Sequence, residues 1–121
     1  IMTSSLTKIN VPLHNFIIVN EIMKLMIMSY VNSSLEIKTP SFMNDFYVSR
    51  RRDGTIDVTV IDKNRKDVYV VIKEPQESIV SITYYDADEN GKARKETVEI
   101  PSTPEHDDLF SDLQKFIQKY D

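Results

Sequence analysis

The sequence predicts an α+β domain with a helix at each end of an antiparallel meander. Three observations carry this. Residues 16–31, FIIVNEIMKLMIMSYV, form an apolar run broken by Asn20, Glu21, Lys24 and Ser29. Between Phe46 and Ile100 the period changes from helical to alternating, and short turn signals punctuate it. From Ser102 onward, helix start signals precede apolar residues spaced for one helical face. Strands this short, joined by tight turns, form a meander more readily than crossover units.

Residues 3–12 read as a short first strand or an extended arm, with Pro12 tolerated in the first turn of the helix that follows. The first helix carries more hydrophobic surface than one contact requires. At about 100° per residue, Phe16, Ile18, Val19, Ile22, Met23, Leu25, Met26, Ile27 and Tyr30 fill an arc of roughly 200°. The opposite side holds Asn20, Glu21 and Lys24, with Ile17, Met28 and Val31 among them as a second, narrower apolar strip. A broad arc suits a core, and an exposed apolar strip marks an interaction site. Asn32, Ser33 and Ser34 then favour local hydrogen bonds over helix continuation. Residues 35–44 form a connector, with a short strand at Leu35–Ile37 before Pro40.

About five strands follow. Phe46 and Val48 open the first, and Asp53-Gly54 closes its hairpin because glycine accepts positive φ. Ile56, Val58 and Val60 form the next, before a polar turn at Asp62–Lys66. Val68, Val70 and Ile72 alternate with Tyr69, Val71 and Lys73, and a turn at Glu74–Glu77 follows. Val80, Ile82 and Tyr84 alternate with Ser81, Thr83 and Tyr85, and Asn90-Gly91 marks the next hairpin. The last strand, around Val98 and Ile100, is charged as a sheet edge should be. The C-terminal helix is amphipathic. Ser102 or Thr103 caps it, Pro104 pre-sets its first turn, and Leu109, Phe110, Leu113, Phe116, Ile117 and Tyr120 line one face. The two helices are expected to cover one face of the sheet.

A chain of 121 residues fits a single domain spanning 1–121, long enough to fold without metal or disulfide. With no cysteine, a disulfide framework and zinc–thiolate sites are excluded, and a reducing, cytoplasmic setting is expected. No secretory signal pattern precedes the apolar run, which is too short and too charged at Glu21 and Lys24 to span a membrane. The net charge of −4 argues against general affinity for nucleic acid or anionic membranes.

Catalysis has little support. His14 and His106 both fall near helix starts, and no G-x-S-x-G or H-E-x-x-H pattern occurs. Both glycines, Gly54 and Gly91, belong to hairpins, so no glycine-rich phosphate loop exists. The chain is therefore read as a non-enzyme with no cofactor. Asp86, Asp88 and Asn90 match the opening of a calcium loop, with Gly91 at position 6. Position 12 is Thr97 rather than glutamate, and the flanks read as strands, so a polar hairpin tip explains the motif better.

The order of elements is similar to the cystatin-like arrangement, a long helix across an antiparallel meander. It is also similar to the small regulatory domain at the C-terminus of some protein kinases. No matched residue signature accompanies either likeness, and order of elements does not establish function.

The leading functional expectation is a protein-interaction module of adaptor, regulatory or inhibitor type, with a protein partner or a second copy (a homodimer). Its interface would use Ile17, Met28 and Val31 on the helix, or Tyr69, Val71 and Tyr85 on the outer sheet face. One alternative is a binder of small apolar ligands in a pocket between the first helix and the sheet. Another is a nucleic-acid-associated factor using Arg50, Arg51 and Arg52.

Overall fold

The computed structural model describes residues 9–31, 33, 41–64 and 67–120. Six strands and two helices alternate as β1 (Ile9–Pro12), α1 (Phe16–Tyr30), β2 (Asp45–Arg50), β3 (Ile56–Ile61), β4 (Val68–Lys73), β5 (Ile79–Ala87), β6 (Ala93–Pro101) and α2 (Pro104–Gln118). The strands form one antiparallel sheet in chain order, β1-β2-β3-β4-β5-β6. The α+β class and the meander are as the sequence predicts. The sixth strand is the short first strand expected in residues 3–12 as the alternative to an arm: Ile9–Pro12 pairs with Tyr47–Arg50 at the sheet edge. The strand expected at Leu35–Ile37 lies outside the described residues.

Both helices pack on the same face of the sheet, around one core. Val48, Val58, Val60, Val70, Ile72, Val80 and Ile82 supply the sheet side of that core. Ile18, Val19, Ile22, Leu25 and Met26 enter from α1, and Leu109, Phe110, Leu113 and Ile117 from α2. The C-terminal end of α1 sits over β5 and β6. There the Tyr84 hydroxyl donates to the Met26 carbonyl at 3.1 Å and hydrogen-bonds the Ser29 hydroxyl, and Ser33 donates to Glu96 at 2.8 Å.

Local chemistry sets the helix ends. Pro12 closes β1 instead of opening α1. The Asn15 side chain caps α1, accepting from the N–H groups of Ile17 and Ile18 at 3.0 and 3.2 Å. Thr103 caps α2 and completes a capping box in which His106, not the usual glutamate, accepts from the Thr103 N–H at 3.2 Å. This explains why His106 is buried although the sequence places it at a helix start.

The β4–β5 hairpin turns tightly at Glu77-Ser78, one residue beyond the expected turn. Gln76 and Ile79 exchange backbone hydrogen bonds of 2.9 and 3.0 Å across it. Glu77 and Ser78 have φ of 53° and 66°, the left-handed pair that a type I′ turn demands. Neither residue is suited to that region, which costs an ordinary L-residue about 1–2 kcal/mol. Glu77→Asn with Ser78→Gly is therefore expected to stabilise the protein by about 1 kcal/mol. Urea denaturation would show a raised midpoint at unchanged slope. A lowered midpoint would mean that Ser78, whose carbonyl accepts from the Ser102 N–H at 2.7 Å, is held there by more than turn geometry.

One register shift redirects side chains. Val60 pairs with Val70, but Ile61 pairs with Val68, leaving Tyr69 as an extra residue in a β-bulge. The bulge turns Tyr69 inward. It is buried against Tyr84, with ring centroids 6.4 Å apart at 76°, while Val68 is left exposed.

Candidate interaction surface

The buried residues of α1 are Ile18, Val19, Ile22, Leu25, Met26 and Ser29. On a helical projection they occupy an arc of only about 120°. Phe16, Ile27 and Tyr30, expected in the core arc, point to solvent instead. The sheet and α2 meet the helix on one side only, so the core needs less of its circumference than its composition suggests.

The predicted strip is exposed and is wider than expected. Ile17 is 75% exposed, Val31 81% and Met28 51%, and Phe16 and Ile27 adjoin them at 64% and 53%. Phe42 stacks on Phe16 with ring centroids 4.5 Å apart and an interplanar angle of 17°, and exposed Met43 follows it. The exposed apolar residues therefore form two clusters, one joining the loop before β2 to the N-terminal turn of α1 and one on its last turn. Scattered single apolar residues on a surface are ordinary, but clusters of large exposed side chains at both ends of one helix are not. Glu21 and Lys24 lie between the clusters, joined by an ion pair of 2.9 Å.

Two depressions border the patch. At the N-terminal end of α1, a cleft of about 530 Å³ opens among Pro12, His14, Phe16, Phe42, Tyr47 and Lys63. Between the helices, a shallower groove of about 280 Å³ has Ile17, Ile18 and Leu109 beside Glu21, Glu105, Asp108 and Asp112. The larger cleft lies between the N-terminal turn of α1, at Phe16 and Val19, and the β2 residues Phe46 and Tyr47, so it opens between helix and sheet only at that end. Behind the rest of the helix that space is filled by Ile22, Leu25, Met26, Val58, Ile82 and Tyr84, all fully buried.

The outer sheet face divides the other expected residues. Val71 pairs with Thr83, and Tyr85 lies two residues further on, so these two share that face, half-buried and exposed respectively. Tyr69 does not join them, because the bulge sends it into the core. Around Val71 the face is polar, although Ile61, Val68 and Ile79 also lie on it further out. Thr59, Thr83 and Thr97 flank Val71 in register, and the Thr83 and Thr97 hydroxyls meet at 2.9 Å.

The arginine cluster is divided because β2 ends at Arg50, and Arg51 and Arg52 fall in the hairpin turn. Arg51 is committed to Asp57, with Nε and a terminal nitrogen 2.8 and 2.7 Å from one carboxylate oxygen. Arg50 is half-buried in β2, and Arg52 is exposed in the hairpin. Beside them, the Thr55 backbone N–H and hydroxyl hold the Asp53 carboxyl below its ordinary pKa. At the calcium-like motif, Asp86 pairs with Arg94 at 2.9 Å. Asp88 accepts from the N–H groups of Asn90 and Lys92 at 2.9 and 2.8 Å, so its oxygen shapes the turn. Among the described residues, no three acidic or histidine side chains converge as a metal site, and no helix is long and apolar enough to cross a membrane.

No protein-family model matches the chain, and no curated protein or solved structure matches it significantly. The likeness in order of elements thus rests on order alone.

Proposed function

We propose that this domain is a protein-interaction module that docks its partner on the outer face of α1. The single observation that supports this is the pair of exposed apolar clusters on the outer face of α1, Phe16 and Ile17 with Phe42 at one end and Ile27, Met28 and Val31 at the other, with the Glu21–Lys24 ion pair between them. The buried half of the same helix already satisfies the core. The exposed half therefore contributes nothing to folding that polar residues would not, and it carries an aggregation hazard unless it is covered. Methionine and isoleucine suit a surface that adapts to a partner, and Phe16 stacked on Phe42 supplies a rigid aromatic anchor. A cysteine-free chain suits a reducing compartment, where such a module would work.

The double substitution Ile17→Asp with Met28→Asp is expected to abolish partner capture from an extract of the native host. Both positions face solvent, so stability should change by no more than about 0.5 kcal/mol per site. Circular dichroism and thermal melting check the fold in parallel. A folded double variant that retains every wild-type partner and the wild-type oligomeric state overturns the reading.

A further inference from the structure

The exposed stripe of α1 is complementary to its own reversal, and we infer that its partner is a second copy of this chain, docked antiparallel about a two-fold axis. This deepens the reading of α1 as a docking surface and rests on it. Ile17, Glu21, Lys24 and Met28 occur at i, i+4, i+7 and i+11, so they line up along one side of the helix. Read in either direction the stripe runs apolar, charged, charged, apolar, and reversal exchanges the acid for the base. A two-fold axis perpendicular to the helices and centred between Ile22 and Met23 therefore sets Ile17 against Met28 of the second copy. It sets Glu21 against Lys24 of the second copy, and the same contacts repeat by symmetry, as an isologous interface requires.

Neighbouring residues agree with this register. Val31, strongly exposed at the C-terminal end of α1, lies on the margin of the stripe, whereas Phe16 is turned about 110° from its centre towards Phe42 and stays outside the contact. The carboxylates of Glu105 and Asp108 on α2 border the groove beside Ile17 and Glu21. They place further negative charge on the side that Lys24 of the second copy approaches. The Glu21–Lys24 pair within one chain is exposed, with 42% and 69% of the side chains open, so both ends are accessible to a second ion pair. A helix of 15 residues is about 22 Å long, which buries less than the roughly 800 Å² per partner of a standard interface. The dimer is accordingly expected to be reversible, with a dissociation constant in the micromolar range.

Charge reversal tests the register. In a homodimer of Glu21→Lys, the introduced lysine faces Lys24 of the second copy. In a homodimer of Lys24→Glu, the introduced glutamate faces Glu21. Each variant alone is expected to dissociate at least about tenfold more readily than wild type in sedimentation equilibrium at low salt. An equimolar mixture of the two pairs lysines with glutamates throughout, and is expected to recover association to within about threefold of wild type. Circular dichroism confirms that each variant is folded. Three results overturn the proposal: a wild-type protein that stays monomeric to several hundred micromolar, single reversals that leave association unchanged, or a mixture that associates no better than its components. If wild type is monomeric while Ile17→Asp with Met28→Asp still abolishes partner capture, the second copy is excluded and the α1 docking surface stands with a different protein.

Discussion

Ile22→Asp is expected to unfold the protein, whereas Ile17→Asp, five residues earlier on the same helix, is expected to leave it folded. Ile22 is 0% exposed and lies between Leu25, Met26 and the sheet. An aspartate there has no cationic partner, and burying an unpaired carboxylate costs several kcal/mol beyond the lost packing. Ile22→Ala alone should cost about 2–5 kcal/mol through lost transfer energy and the cavity left behind. Against a total stability of about 5–15 kcal/mol, the charged variant has little left. Loss of near-ultraviolet circular dichroism and of a cooperative melt would show this. A folded, cooperative Ile22→Asp protein would mean that the core behind α1 admits water, contrary to the packing.

The second large effect lies at Tyr84, which holds the C-terminal half of α1 to β5. Its ring is fully buried in the core, and its hydroxyl reaches both the Ser29 hydroxyl and the Met26 carbonyl. Tyr84→Ala should cost about 3–5 kcal/mol, chiefly through the cavity. Tyr84→Phe keeps the ring and should cost about 1–1.5 kcal/mol. The Ser29 hydroxyl also lies 2.8 Å from the Met26 carbonyl, so two hydroxyl protons are shared among three contacts in one network. The double variant Tyr84→Phe with Ser29→Ala should then cost less than the sum of the singles, a coupling measurable by chemical denaturation. Strict additivity would show that the hydroxyls act independently.

The same phenol makes stability depend on alkaline pH. Burial raises the Tyr84 pKa, and the hydrogen bond from Ser29 only partly offsets this. The folded state therefore keeps its proton where the unfolded phenol, with a pKa of about 10, has lost it. The contribution is complete below pH of about 10. Above that it declines by up to about 1.4 kcal/mol per pH unit until the folded pKa is reached. Wild type should thus lose stability faster than Tyr84→Phe above pH of about 10, and parallel curves would contradict the assignment.

The periodic elements were legible in the sequence because their signals are local. Thr103 and Pro104 start α2, Gly54 and Gly91 mark hairpins, and Val80, Ile82 and Tyr84 alternate into the core. Two features resisted for the opposite reason. The bulge at Tyr69 is one unpaired residue in a register that only its neighbour β3 defines, while Val68, Val70 and Ile72 alternate as if the strand were regular. The width of the α1 patch depends on how many neighbours the helix has. Phe16 and Ile27 have the composition of core residues, and only the one-sided packing of α1 shows that they are not. The strip of Ile17, Met28 and Val31 was legible because polar residues surround it. The turn expected at Glu74–Glu77 falls at Glu77-Ser78, its exact place unmarked because the asparagine and glycine that usually announce a type I′ turn are absent.

The tie between Ser29 and Tyr84 joins residues 55 positions apart. During synthesis α1 leaves the ribosome well before the strand that holds its C-terminal half. At about 5–20 residues per second, that interval lasts roughly 3–11 s. For those seconds the helix exposes apolar side chains on both of its faces, and a nascent chain in that state is a natural client for a chaperone. Once Tyr84 arrives and closes the inner face, only the outer one remains to be shielded.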